Sequence, residues 1–166
     1  LNAPYDNGII LCRHPEALTR ALHMTGAYIQ YSEHRDGMLF TPDMSRRSRA
    51  VELWATLKSL GREGVGQLVE DLHKKAVYFA QSLSDKGFAI RNEVCFNQVL
   101  VSPGDPDMTE KTLQGIQSSG ICWCGGSRWK DEPVIRISVC SHQTTCADVD
   151  RSVEAFIKAR DRAQNT

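Results

Sequence analysis

Residues 47–64 read RSRAVELWATLKSLGREG, and the spacing of their apolar residues points to an α-helix at the centre of the chain. Ala50, Val51, Leu53, Trp54, Leu57 and Leu60 recur every three to four positions, which gives a helix one face for a core. Ser45 stands ahead of it as a candidate N-cap, and Gly61 and Gly64 punctuate its end. Arg46, Arg47 and Arg49 crowd the first turn, where the helix dipole disfavours cations. They either form a solvated rim or meet an acidic group.

The chain has 166 residues, 41% of them hydrophobic, enough to bury one sizeable core. Twenty basic and twenty acidic residues cancel to a formal charge of zero. That balance argues against a nucleic-acid surface or an anionic-membrane binder. No apolar run approaches the roughly 20 residues of a membrane span, and the start carries no secretory signal. The opening LNAPYDNG lacks an initiator Met and reads as internal sequence, so a cleaved or partial chain is expected. Cys12, Cys95 and Cys140 fall in apolar, strand-like runs, as buried thiols do. The set Cys122, Cys124, Cys140 and Cys146 lacks the paired C-x2-C knuckles of structural zinc sites. Reduced thiols and a cytoplasmic location are the expectation, with no metal.

Outward from the central helix, residues 8–12 (GIILC) read as a buried strand. Pro15 starts a short helix with Ala17, Leu18, Ala21 and Leu22 on one face. Residues 27–44 lack helical periodicity and read as a loop containing Tyr28, Tyr31 and His34. A second long helix follows Gly64, with Leu68, Leu72, Ala76, Phe79, Ala80 and Leu83 in 3–4 spacing, and ends near Gly87. Residues 88–91 and 94–101 read as strands. Asp107 and Glu110 resemble a capping pair for a helix that ends at Gly120. Residues 121–124 and 134–140 then read as a hairpin around Gly125, Gly126 and Pro133. In its second strand Ile135, Ile137 and Val139 face one way and Arg136 and Ser138 the other. Arg136 is an arginine among apolar neighbours, suited either to bidentate capture of a carboxylate or to a structural ion pair. Thr145 and Asp148 cap a last helix whose core face is Val149, Val153, Phe156 and Ile157.

Three stretches together, LNAPYDNG, TPDMSRRSRAVELWATLKSLGREG and VIRISVCSHQTTCADVDRSVEAF, resemble the C-terminal part of pyridoxal-phosphate-dependent amino-acid decarboxylases. This is the group II family, built on the aspartate-aminotransferase fold (fold type I). The resemblance runs through essentially the whole chain in the family's order. It implies an α/β fold in which residues 1–61 end a large cofactor-binding domain. Residues 62–87 then form a connecting helix, and residues 88–166 a small βαββα-like C-terminal domain.

In that family a His-Lys pair precedes the point where this chain begins, and the lysine forms the Schiff base with pyridoxal 5'-phosphate. The resemblance therefore implies no catalytic residue here, the cofactor being held mainly by an N-terminal part. It aligns Arg136 with the small-domain arginine that binds a substrate carboxylate. Fixing one carboxylate decides which bond is broken. It also implies an amino-acid substrate and a homodimer. Tyr31, His34 and Ser45 fall in the segment expected to wall the active site. That segment is shorter than in the animal aromatic decarboxylases, so neither Tyr31 nor His34 aligns with their product-protonating tyrosine. An aminotransferase or another pyridoxal-phosphate lyase shares the same visible motifs, and a non-catalytic ligand-binding module is the reading from another class.

Overall fold

A computed structural model of the chain describes residues 2–24, 26–30, 33–34, 36–42 and 47–165. These fall into two compact units, one formed by Ala3–Thr56 and the other by Leu57–Thr166 together with the first residues of the chain.

The Ala3–Thr56 unit holds α1 (Pro15–Leu22), a 3-10 turn (Gly37–Phe40) and the start of α2 (Ala50–Ser84). Pro15 opens α1, as its fixed φ and missing N–H allow at a first helical position. The strand expected over residues 8–12 does not form, and Ile9 and Leu11 are 68% and 94% exposed. An apolar run becomes a strand only where neighbouring strands take its N–H and C=O groups, and no described residue does so here. Helix α2 begins at Ala50, later than the 47–64 reading, and its predicted core residue Trp54 is 64% exposed.

Within α2, Gly61 (φ 64°, ψ −176°) interrupts the helical backbone. Only glycine takes such a conformation without steric cost. Beyond it Leu72, Ala76, Phe79, Ala80 and Leu83 are buried, the stripe that the 3–4 spacing predicts. Gly87, at φ 83°, turns the chain out of the helix, and the Phe88 N–H donates back to the Leu83 carbonyl at 3.1 Å. This is a Schellman-type ending with Phe88 and Leu83 both in the core.

The strands β1 (Ala89–Ile90), β2 (Gln98–Ser102), β3 (Gly125–Trp129) and β4 (Glu132–Ser138) form one antiparallel sheet in the order β1-β2-β4-β3. With α3 (Pro106–Ser119) between β2 and β3, and α4 (Cys146–Gln164) last, the order is ββαββα: the expected βαββα-like unit with a short extra strand. Val99, Val101, Ile135 and Ile137 join the buried residues of α2, Ile116 of α3, and Val149, Val153 and Phe156 of α4 in a single core. Phe156 is fully buried, edge-on to Phe79 at 5.7 Å and to Phe88 at 6.0 Å between ring centroids.

Three local expectations shift. The N-cap of α3 is Asp105, which accepts from the Met108 N–H at 2.8 Å, rather than a pairing of Asp107 with Glu110. Pro106, at the first helical position, moves the start forward. Gly125 and Gly126 lie inside β3, and the hairpin turns at Lys130 and Asp131, whose φ values are 49° and 66°. Two positive φ angles are what a two-residue type I′ hairpin turn requires. Cys12, Cys95 and Cys140 are exposed rather than buried.

Candidate active-site residues

Arg136 sits in β4, paired with Leu100 of β2 on one side and Gly125 of β3 on the other. Ile135, Ile137 and Val139 are buried, whereas Arg136 and Ser138 are exposed, so the predicted alternation holds. Arg136 is thus on the sheet face that turns away from the helix-covered core. Among the described residues its guanidinium makes no ion pair and no hydrogen bond. Gly125 leaves the space beside it open, since a Cβ there would meet nothing within 4 Å. An uncommitted guanidinium on an inner strand, with open space next to it, has the donor geometry to pair with a carboxylate.

In the other unit, a cavity of about 440 Å³ is lined by Asp6, Asn7, Thr41 and Arg49 among others. Arg49 pairs with Asp6, and Arg47 with Glu52 at 2.7 Å. So two of the three arginines before α2 do meet acids. The Glu52 carboxyl lies below its ordinary value, held there first by a backbone hydrogen bond and then by Arg47. His34 is exposed. Tyr31, Ser45 and Arg46 lie outside the described residues. Arg136 and His34 belong to different units.

Burial pushes the Cys124 thiol up to about 12 and also raises Cys122. Both are poor thiolate sources at neutral pH. Among the described residues no three His, Cys, Asp or Glu side chains are grouped to hold a metal. No described helix is long and apolar enough to cross a membrane.

The sequence pattern of the pyridoxal-dependent decarboxylase conserved domain matches residues 1–102. The chain belongs to the pyridoxal-dependent decarboxylase family. Histidine decarboxylase of Drosophila melanogaster is 28% identical over 150 residues, 87% of this chain and 18% of that protein. The 3,4-dihydroxyphenylacetaldehyde synthase of the same fly is 27% identical over 130 residues, covering 72% and 26%. Among solved structures, tryptophan decarboxylase of Catharanthus roseus superposes with a TM-score of 0.77 at 20% identity, over 90% of this chain and 34% of its own. The 4-hydroxyphenylacetaldehyde synthase of Rhodiola rosea gives 0.74 at 22%, over 89% and 32%. These structures establish that the fold is that of a fragment of a pyridoxal-dependent decarboxylase. This chain spans between 18% and 34% of the length of these relatives.

Family membership raises the question of the cofactor, which bonds to a lysine amine. The cavity beside Arg49 is lined by no lysine. Lys74 is bound to Glu70 at 2.8 Å and Lys111 to Asp107 at 2.8 Å, and those carboxylates raise both ammonium groups above the ordinary lysine value. A lysine poised for carbonyl chemistry is lowered instead. Neither Lys74 nor Lys111 therefore stands in the setting that activates a lysine amine.

Proposed function

We propose that the chain is the C-terminal portion of a pyridoxal-5'-phosphate-dependent amino-acid decarboxylase, a carboxy-lyase that works as a cytoplasmic homodimer. Family membership over residues 1–102 supports the reaction class, and the exposed, unpaired Arg136 carries the site assignment. In this reading residues 1–61 end the large domain, 62–87 connect, and 88–166 form the small domain. The division between Thr56 and Leu57 and the interruption of α2 at Gly61 support that partition. The free cysteines support a reducing compartment. Exposed Ile9, Ile10 and Trp54 support burial by further polypeptide, from the large domain or from a dimer partner.

The cofactor supplies an electron sink when bound, and its lysine lies elsewhere in the polypeptide. Arg136 binds the substrate carboxylate through its two-pronged donor face and so fixes the orientation of the amino acid. Family resemblance alone supports a role for Tyr31, His34 and Ser45 in an active-site wall of the full-length protein.

Two of the relatives are named as aldehyde synthases, which favours a second reading in which the product is an aldehyde rather than an amine. Product analysis decides. The full-length protein with pyridoxal phosphate is screened over the amino acids in aerated buffer, with and without a 2-oxo acid as amino acceptor, with mass spectrometry of the product. The corresponding amine with carbon dioxide supports decarboxylation, and the aldehyde supports the second reading. A 2-oxo acid with retained carboxylate identifies an aminotransferase, and no turnover of any amino acid leaves the binding-module reading.

A further inference from the structure

We infer that Arg91 recognises a second acidic group on the substrate, so that the preferred amino acids carry an acidic side chain. The inference rests on the reading of Arg136 as the carboxylate-binding residue.

The placement comes from strand register. Ala89 pairs with Ser102 and Ile90 with Val101, and the Arg91 N–H donates to the Leu100 carbonyl at 2.8 Å, which continues the same register by one residue. Leu100 pairs in turn with Arg136, and Arg136 with Gly125. Arg91, Leu100, Arg136 and Gly125 therefore form one row across the sheet. Side chains in such a row share a face. Ile90, on the other face, packs against the core with Val101 and Ile135. Two strand spacings of about 4.8 Å put the Cα atoms of the two arginines roughly 10 Å apart, within converging reach of two long side chains.

Their surroundings favour an anion. Arg91 and Arg136 are both exposed, and among the described residues neither guanidinium is ion-paired or hydrogen-bonded. Leu100 between them is nearly buried and gives the row an apolar floor. Arg91 also lines a cavity of about 300 Å³ with Ile90, Trp129, Lys130 and Glu132. Two cations there outnumber the single Glu132 carboxylate. A lone carboxylate uses one guanidinium fork; two uncommitted forks in one row match a ligand with two acidic groups.

The test uses the full-length enzyme and its Arg91→Gln, Arg91→Lys and Arg136→Lys variants, assayed on acidic and neutral amino acids. Glutarate and butyrate serve as unreactive probes of inhibition. Wild type should favour acidic substrates, and glutarate should inhibit more strongly than butyrate. Arg91→Gln should lower kcat/KM for acidic substrates roughly 10-fold or more, abolish the glutarate preference and leave neutral substrates unchanged. Arg91→Lys, which keeps the charge, should restore part of the loss. If Arg136→Lys slows every substrate while Arg91→Gln slows none, or all equally, the Arg91 inference fails and the Arg136 reading stands. If Arg136→Lys is harmless on every substrate, the underlying reading fails, and this inference with it.

Discussion

Arg136 could be judged from the sequence because β alternation is a rule of period two. With Ile135, Ile137 and Val139 committed to the core, Arg136 had to emerge on the opposite face. What the strand pattern left even was the choice between a structural ion pair and a ligand site. No described acid pairs with it, which favours the ligand. In the full-length enzyme, Arg136→Lys should preserve thermal stability and lower kcat/KM roughly 10- to 100-fold, since a charge-assisted hydrogen bond is worth about 1.5–3 kcal/mol. Arg136→Ala should cost more. Calorimetry beside steady-state kinetics checks this: lowered melting temperatures with unchanged kcat/KM would make Arg136 structural. Arg91 could not be found in the same way. It follows a two-residue strand, and its neighbour in space is set by register between strands far apart in sequence. Tyr31 and Ser45 rest on family resemblance alone, because both lie outside the described residues.

Helix ends carried strong local signals, and most were legible. At the start of α4 the Thr145 hydroxyl accepts from the Asp148 N–H, while Asp148 accepts from the Thr145 N–H at 2.8 Å and from its hydroxyl at 2.7 Å. These bonds from Thr145, with Arg151 beside them, depress the Asp148 carboxyl from 3.8 to about 2. A depressed carboxylate stabilises the fold above its ordinary value and loses that contribution as pH falls through about 2. Denaturant titrations at pH 7 and across pH 4 to 2 should show this loss in the native chain and not in Asp148→Asn. Thr145→Ala should cost about 1 kcal/mol at neutral pH. The signal failed where two local patterns competed. Asp107 and Glu110 fit a capping box, yet Asp105 ahead of Pro106 took the cap. Gly125-Gly126 looked like a turn, yet the turn went to Lys130-Asp131, two residues with no glycine to announce it. Helix packing was not legible at all. Gly115 of α3 faces α4 so closely that an added Cβ would stand 3.0 Å from the Cβ of Ala159. Gly115→Ala gains about 1 kcal/mol of helix propensity, but overpacking typically costs 1–3 kcal/mol, so a net fall in melting temperature is expected. A stabilised variant would show that the helices separate to admit the methyl group.

For the whole molecule, the C-terminal α/β unit was legible because its apolar stripes close on one another: Phe79, Phe88 and Phe156 meet in one core. In the first 56 residues α1 was legible but the apolar run Gly8-Ile9-Ile10-Leu11-Cys12 was not, because it signals a strand whose partners are absent among the described residues. That contrast agrees with a chain that spans 18% to 34% of its relatives' lengths. The central claim is a division of labour, with carboxylate recognition in these residues and the cofactor's lysine outside them. Borohydride reduction of the full-length protein loaded with pyridoxal phosphate, followed by peptide mass mapping, tests it most directly. The expected result is one stoichiometric adduct on a lysine outside residues 1–166; a stoichiometric adduct on Lys58, Lys74, Lys75 or any other lysine of this chain would contradict it.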